Sequence, residues 1–457
     1  MTNPTHDRIH TGALDNHELS RRDFLWLIGV AGAGVALPPL LSGCATDPVT
    51  GKTTVVGMSE QQEVSLDKQH SPQQFSADYG AAQDGGLNRY VQSVGDDLWS
   101  KSHRPKMPYS ARVLNANYVN AYTFPAGSMG ITRGIMLEMQ NEDELAALLG
   151  HEIGHVNARH AAERAGREML FQGGMVLASV AVAASENASQ YKPLIELAGQ
   201  VGGSALLSKY SRDDEREADA LGMDYMTRAN HNPDGMVGLM DMLRRESNHK
   251  PNLLETMFAS HPMSDERYQT AKRRAETKYA AQRGLGIQRE RYLDNTARLR
   301  RLKPAVDTMQ QGETLMSKKQ LPQAEDRFDQ ALRQAPDDYV ANMLMAKVKL
   351  AQKQTREAEA YLAQARAIYP PEGQAKQLSG VVKLALKQPD AALQHFEAYD
   401  RLLPGNANTT FLKGVAHERM QNRKLAAEHY LRYAQTVGSG SEAEYAVQRL
   451  KSWGYVK

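Results

Sequence analysis

Residues 151–155 read His-Glu-Ile-Gly-His, and two histidines four apart on a helix can offer imidazole nitrogens to one ion. The surrounding segment 141–166 carries Ala, Leu and Glu at helical spacing, with Asn141 and Glu144 placed as an N-cap and capping box. Zinc favours such borderline nitrogen donors and acidifies its bound water to near neutral pH. Glu152 stands one residue round from His151, where a general base for that water is needed. Gly150 and Gly154 are poor helix formers, and only a packing need excuses them there.

A catalytic zinc normally keeps three protein ligands and leaves one position open. The acidic stretch 211–220 supplies the best candidate. Glu215 and Asp219 are again four apart, so one helix can present a carboxylate ligand and, a turn later, a second carboxylate. Asp219 suits the outer position, accepting a hydrogen bond from a ligating imidazole and fixing its tautomer. Taken alone, a mixed-charge stretch of this kind is more often a solvated helix face.

Taken together, His-Glu-x-x-His and the later Glu-x-x-Ala-Asp (Glu215 to Asp219) resemble the gluzincin peptidases of the HtpX and CAAX-prenyl-protease type. Residues 120–131 (NAYTFPAGSMGI) resemble the strand pair that precedes the zinc helix in that family, and residues 260–267 (SHPMSDER) recur there as well. The resemblance spans residues 55–280 and rests on four separated blocks. It implies one Zn2+ per chain held by His151, His155 and Glu215, with Glu152 as general base. It assigns Asp219 to proton donation or ligand support. The implied reaction is hydrolysis of peptide bonds. A second oxyanion donor is needed, and Arg267, Tyr210 and His261 are all candidates. His261, stiffened by Pro262 and followed by Ser264 as the N-cap of a helix to residue 279, can act either as that donor or as a plug on the open metal position. His160, five residues beyond His155, falls off the shared face and reads as structural or solvated.

Residues 112–119 and 128–135 alternate loosely and suggest two strands separated by Pro125 and Gly127. An exposed edge of such a sheet can pair with an extended peptide.

Ser20-Arg21-Arg22-Asp23-Phe24-Leu25 has the form of a twin-arginine export signal and leads into an apolar stretch, 24–41, broken by Gly and Pro. That stretch ends in Leu41-Ser42-Gly43-Cys44, which resembles a lipoprotein processing box. Cys44 is the single cysteine, so lipidation is expected there and no disulfide can form within the chain. The expectation is a periplasmic body lipid-anchored to the inner face of the outer membrane. The apolar stretches 170–184 and 194–207 are too short to span a bilayer and read as core or interfacial helices.

The last third repeats. Pro336, Pro370 and Pro404 recur every 34 residues. Gly312, Ala346, Gly380 and Gly414 keep the same period. So do Ala324, Ala358, Ala392 and Ala426, and the larger Phe328, Leu362, Phe396 and Tyr430. Small residues where two helices touch, a large one in the second helix and proline at its end are the tetratricopeptide pattern. With 457 residues and a net charge of +2, the chain has room for several domains and no field suited to nucleic acid.

The expected fold is mainly α with a small β-sheet: a gluzincin metallopeptidase domain followed by an α-solenoid of tetratricopeptide repeats. The expected division is a signal peptide (1–43), a lipid-anchored tether (44–72), the peptidase domain (73–285), a linker helix (286–304), four repeats (305–438) and a cap helix (439–457). Such a pairing resembles envelope quality-control proteases of the family. This implies unfolded or misassembled envelope proteins as substrates, partner proteins on the repeats, and the membrane through the lipid. The alternative is a repeat-based adaptor or chaperone whose metal site is largely latent.

Overall fold

The computed structural model describes residues 44–165, 210–249 and 251–456. The signal-like segment 1–43 and both apolar stretches within 170–207 lie outside these residues. Among the described residues no helix is long and apolar enough to cross a membrane.

The expected tether, 44–72, is instead folded. β1 (Cys44–Thr46) pairs antiparallel with β2 (Thr53–Val55), and α1 (Glu60–Ala77) follows from a capping box between Ser59 and Gln62. α1 is riveted to the domain by buried carboxylates. Glu63 accepts from Arg104 Nη2 at 2.8 Å and Arg159 Nε at 3.0 Å, and Asp67 Oδ2 accepts from the amides of Ala126 (3.0 Å) and Ser128 (3.1 Å). A buried carboxylate is tolerated only with such partners, so this helix forms with the domain rather than trailing from it.

α2 (Gly85–Trp99) lies along one edge of a three-stranded sheet. Its Gln92 and Asn88 side chains accept from the amides of Ala111 (2.9 Å) and Val113 (3.0 Å), closing the outer edge of β3 (Ser110–Leu114). The strand order is β3-β5-β4, with β5 (Ser128–Thr132) parallel to β3 and antiparallel to β4 (Ala121–Thr123). The expected pair of strands is therefore three. The turn at Pro125 and Gly127, where Gly127 has φ +97°, joins β4 to β5, while 115–120 form a loop.

After α3 (Arg133–Glu138) comes α4 (Glu142–Asn157), every residue of which is buried. Asn141 caps it by accepting from the Glu144 amide at 2.9 Å. The Glu144 carboxylate reaches back to Gln140 N (2.6 Å) and the Asn141 side chain, one residue away from the expected capping-box partner. Among the described residues there follow α5 (Arg212–Arg228), α6 (Asp234–His249), α7 (Pro251–Ser260) and α8 (Asp265–Glu276). The expected linker helix, α9 (Arg289–Arg301), is also packed: Tyr292 is fully buried and its hydroxyl donates to Met136 O at 2.6 Å.

The repeats are helical hairpins, α10 (Lys303–Ser317) with α11 (Leu321–Gln334), α12 (Tyr339–Ala351) with α13 (Thr355–Ile368), and α14 (Gln374–Ala385) with α15 (Pro389–Leu402). From Gly405 on, α16 (Ala407–Arg419), α17 (Arg423–Val437) and α18 (Ser441–Ser452) form a separate compact unit. A methyl group at Gly312 or Gly380 would overlap the rings of Phe328 or Phe396, which is why the repeat with the slimmer Leu362 can carry Ala346 instead. The period is also written in the backbone. Lys319, Lys353, Lys387 and Gln421 are all left-handed (φ +60°, +65°, +60° and +61°) and end the first helix of each hairpin without glycine.

The first three hairpins pack against the preceding part of the chain through polar contacts, the first by Gln310 Nε2 donating to Asn117 O at 2.7 Å. Arg133 Nη1 meets Asp338 at 2.7 Å, Lys347 Nζ donates to Tyr79 OH at 2.9 Å, Gln374 Nε2 donates to Ala77 O at 3.0 Å, and Ser76 bonds Glu372.

Candidate metal centre

α4 and α5 cross at glycines. A Cβ on Gly150 would stand 2.9 Å from Gly222 O, one on Gly154 2.8 Å from Ala218 O, and one on Gly222 2.8 Å from His151 N. Backbone-to-backbone approach of this kind leaves no room for a side chain, and it accounts for two glycines inside a helix whose every residue is buried. It also sets the reach of the site, because Glu215 enters α5 one turn before Ala218 and arrives beside both histidines.

The ligand-capable atoms of His151, His155, Glu215 and His261 all lie within 4.8 Å of one another, and all four residues are buried. His151 Nε2 and His155 Nε2 are 3.1 Å apart. Glu215 Oε1 is 3.4 Å from His155 Nε2, and its Oε2 is 3.6 Å from His151 Nε2. His261 Nδ1 is 3.0 Å from Glu215 Oε1 and 3.3 Å from His151 Nε2. Its position follows from the end of α7: the His261 amide donates to Met257 O at 2.6 Å, and Ser260 O accepts from Tyr210 N at 3.0 Å at the threshold of α5.

The arrangement fits a cation. His151 Nδ1 lies 3.0 Å from Asp219 Oδ1, an acceptor, so the neutral ring carries its proton there and leaves Nε2 as a bare lone pair. His155 Nδ1 is likewise occupied, by His160 at 2.8 Å. Two imidazole lone pairs and a carboxylate thus face one point, an arrangement that a shared positive ion reconciles. Burial holds the His155 ring well below the usual imidazole range, favouring the neutral ligand form. Glu215 is held far below the ordinary carboxylate range. Burial opposes its ionisation, but the neighbouring His261, His155 and His151 outweigh it. Burial alone would lower His261, yet the Glu215 and Glu152 carboxylates raise it.

Glu152 is 1% exposed, and its Oε2 has no hydrogen-bond partner among the described residues. Its Oε1 is 3.9 Å from His261 Nε2, and burial pushes its carboxyl above the ordinary range. A carboxylate kept buried with an idle oxygen is suited to accepting a proton from something that enters the site.

Asp219, read as a proton donor or ligand support, stands on the far side of the His151 ring. Arg267 grips it through Nε (2.7 Å to Oδ2) and Nη2 (2.7 Å to Oδ1), and the same arginine holds its pKa low against burial. Both oxygens accept hydrogen bonds, an arrangement that suits support of His151. Arg267, read as a possible oxyanion donor, hydrogen-bonds Asp219 and Pro262 O (2.9 Å) and forms an ion pair with Glu215 Oε2 (2.5 Å). It is an internal counter-ion. Tyr210, the third candidate donor, stacks its ring on His155 with centroids 3.8 Å apart.

Of the two readings of His160, structural or solvated, the structural one holds. His160 is buried against His155, with Nε2 3.4 Å from Glu217. Its placement off the shared face assumed a continuous helix, whereas α4 stops at Asn157 with no Gly or Pro to announce it. Glu217, which the acidic stretch hid among its neighbours, was not singled out at all.

Residues 86–275 match the family model described as Peptidase family M48, and residues 315–380 match the tetratricopeptide repeat. The chain is 28% identical over 255 residues to the beta-barrel assembly-enhancing protease of Yersinia pestis, covering 55% of this chain and 51% of that protein. It is 26% identical over 256 residues to the protein of the same name from Escherichia coli (strain K12), covering 54% and 51%. Metalloprotease YcaL of Escherichia coli (strain K12) is 32% identical over 162 residues, covering 35% and 60%. The chain spans about half the length of the beta-barrel assembly-enhancing proteases it matches. It carries a metallopeptidase domain of family M48 followed by helical tetratricopeptide repeats, homologous to those proteases.

Proposed function

We propose, from the premise of an M48 domain, that this chain is a zinc endopeptidase that cleaves misfolded or misassembled cell-envelope proteins brought to it by the repeats. The observation that carries the reading is the convergence of His151, His155 and Glu215, from two helices, on one buried point beside an idle Glu152 carboxylate.

A zinc ion held there supplies Lewis-acid polarisation of the scissile carbonyl and acidifies water. Glu152 takes the proton of the attacking water and returns it to the departing amine. Asp219, clamped by Arg267, keeps the His151 ring oriented through Nδ1. β4, the edge strand of the sheet that packs against α4, has all three residues buried, so it presents no exposed edge for main-chain pairing with an extended substrate. The test is zinc content together with digestion of an unfolded protein, lost on chelation and restored by zinc. A chain that binds no zinc and cuts nothing overturns the reading.

His261 occupies the fourth place in the ligand cluster, which supports latency: the ring closes the position a substrate carbonyl needs. His261→Ala is expected to raise turnover about tenfold if displacing the ring costs about 1.4 kcal/mol. A loss of turnover with zinc retained makes His261 a substrate-side donor. Should neither the wild type nor this variant cleave while the repeats still capture unfolded protein, the adaptor reading takes over.

Lipid attachment at Cys44, after export by the twin-arginine route, would place this activity at the inner face of the outer membrane. The support is the sequence Leu41-Ser42-Gly43-Cys44 behind an apolar stretch. Cys44→Ser is expected to move the chain from the membrane fraction to the soluble one. A serine variant that stays with the membrane removes the anchor from the account.

A further inference from the structure

His155 and His160 bring their Nδ1 atoms within 2.8 Å, and both rings are buried. On an unbroken helix, side chains five positions apart diverge. Here α4 ends at Asn157, and Arg159 adopts φ +55°, the left-handed region that bulky residues avoid. The chain folds back and returns His160 beneath the ring it would otherwise have passed. Arg159 is secured in that conformation by Glu63 (Nε to Oε1, 3.0 Å) and by Met58 O (Nη2, 2.8 Å). Such strain persists only where the surroundings over-determine it.

The protons on the two rings have one consistent arrangement once His155 Nε2 faces a cation. His155 must carry its proton on Nδ1 and donate it to His160 Nδ1. His160 must then carry its own proton on Nε2, which lies 3.4 Å from Glu217 Oε2. We propose that His160 is the positioning residue for His155, with Glu217 as the carboxylate that fixes the His160 tautomer. The inference rests on the zinc reading above and deepens it. One helix, α5, then serves every metal-facing side chain of the zinc helix in a different way. Glu215 reaches the metal point itself, Asp219 orients His151 by direct contact, and Glu217 orients His155 through an intervening imidazole. The intermediary spans a distance that a carboxylate on the partly exposed side of α5 cannot cover alone.

The test measures zinc affinity by competition with a chromophoric chelator, the visible spectrum of the cobalt-loaded protein, and the melting temperature of the metal-free protein. His160→Leu removes the acceptor for His155 and is expected to weaken zinc binding about 10–100-fold and to shift the cobalt bands. His160→Gln can accept from His155 through its amide oxygen and donate to Glu217 through its amide nitrogen, so it is expected to restore most of the affinity and the wild-type spectrum. Glu217→Gln keeps an acceptor but loses the charge, and a smaller drop in affinity is expected. Leucine and glutamine variants that lose zinc alike, in step with their melting temperatures, would reduce His160 to a packing residue and overturn the proposal. Should His160→Leu fail to fold, the surface variant Glu217→Gln decides. Unchanged affinity and cobalt spectrum there also overturn it. A wild-type chain that binds no zinc would instead sink the metal-centre reading, an outcome the same titration separates from the others.

Discussion

Glu152→Gln is expected to leave zinc binding intact and to cut hydrolysis of an unfolded protein by about 10²–10⁴-fold, the range for loss of a general base. The separation of the two effects follows from position. Glu152 is not one of the four convergent side chains, and its nearest charged neighbour in the cluster is His261 Nε2 at 3.9 Å. Gln has the same shape, and it relieves the cost of burying a carboxyl that burial already pushes upward. The melting temperature should therefore hold or rise while turnover collapses. Parallel measurement of metal content, turnover and melting checks all three. Undiminished cleavage by the variant would remove Glu152 from the chemistry and transfer the activity elsewhere.

Glu215→Gln should do the reverse and empty the site. Glu215 is fully buried and meets three imidazoles and the Arg267 guanidinium. Neutralising it leaves the arginine and an incoming dication with only the Asp219 and Glu152 carboxyl groups nearby. Structural zinc sites bind with roughly 10–16 kcal/mol shared among about four ligands, so one ligand is worth about 3 kcal/mol, or at least a hundredfold in affinity. The repulsion from Arg267 adds to that loss. Chelator competition reads the affinity directly, and a wild-type value in the variant would show that the carboxylate is not a ligand.

What could be read from the chain beforehand was whatever repeats or follows helical geometry. His151 and His155 declare themselves by their spacing, Glu215 and Asp219 by the same spacing on a second helix, and the hairpins by a period of 34 that even the left-handed lysines obey. The helical glycines announced a tight crossing without saying with what; the answer, Ala218 and Gly222, lies on α5. Roles that depend on who competes for a side chain were not legible. Arg267 belongs to a recognisable block, yet nothing local reveals that two buried carboxylates consume its donors. The contact of His160 with His155 was not legible because its placement hangs on the backbone of Arg159, which is set by Glu63 almost a hundred residues earlier. The segment 44–72 was underrated for the same reason: its acidic and polar residues look solvated in one dimension and are anchored in three.

That last feature changes how an acylated form would behave. Cys44 is already paired with Val55, the hairpin is stitched to the segment after the zinc helix through Thr54 to Glu163 (2.7 Å) and Gly57 to Ala162 (2.8 Å), and no slack separates the two. A protease on a long leash sweeps a hemisphere and meets whatever drifts within its radius. With acyl chains at Cys44 this one has no leash, so the bilayer plane would dictate which way the candidate metal centre faces. Lengthening the connection with a glycine-serine insert directly after Cys44 should then broaden the set of proteins cut in vesicle suspensions while leaving the detergent-solubilised rate alone.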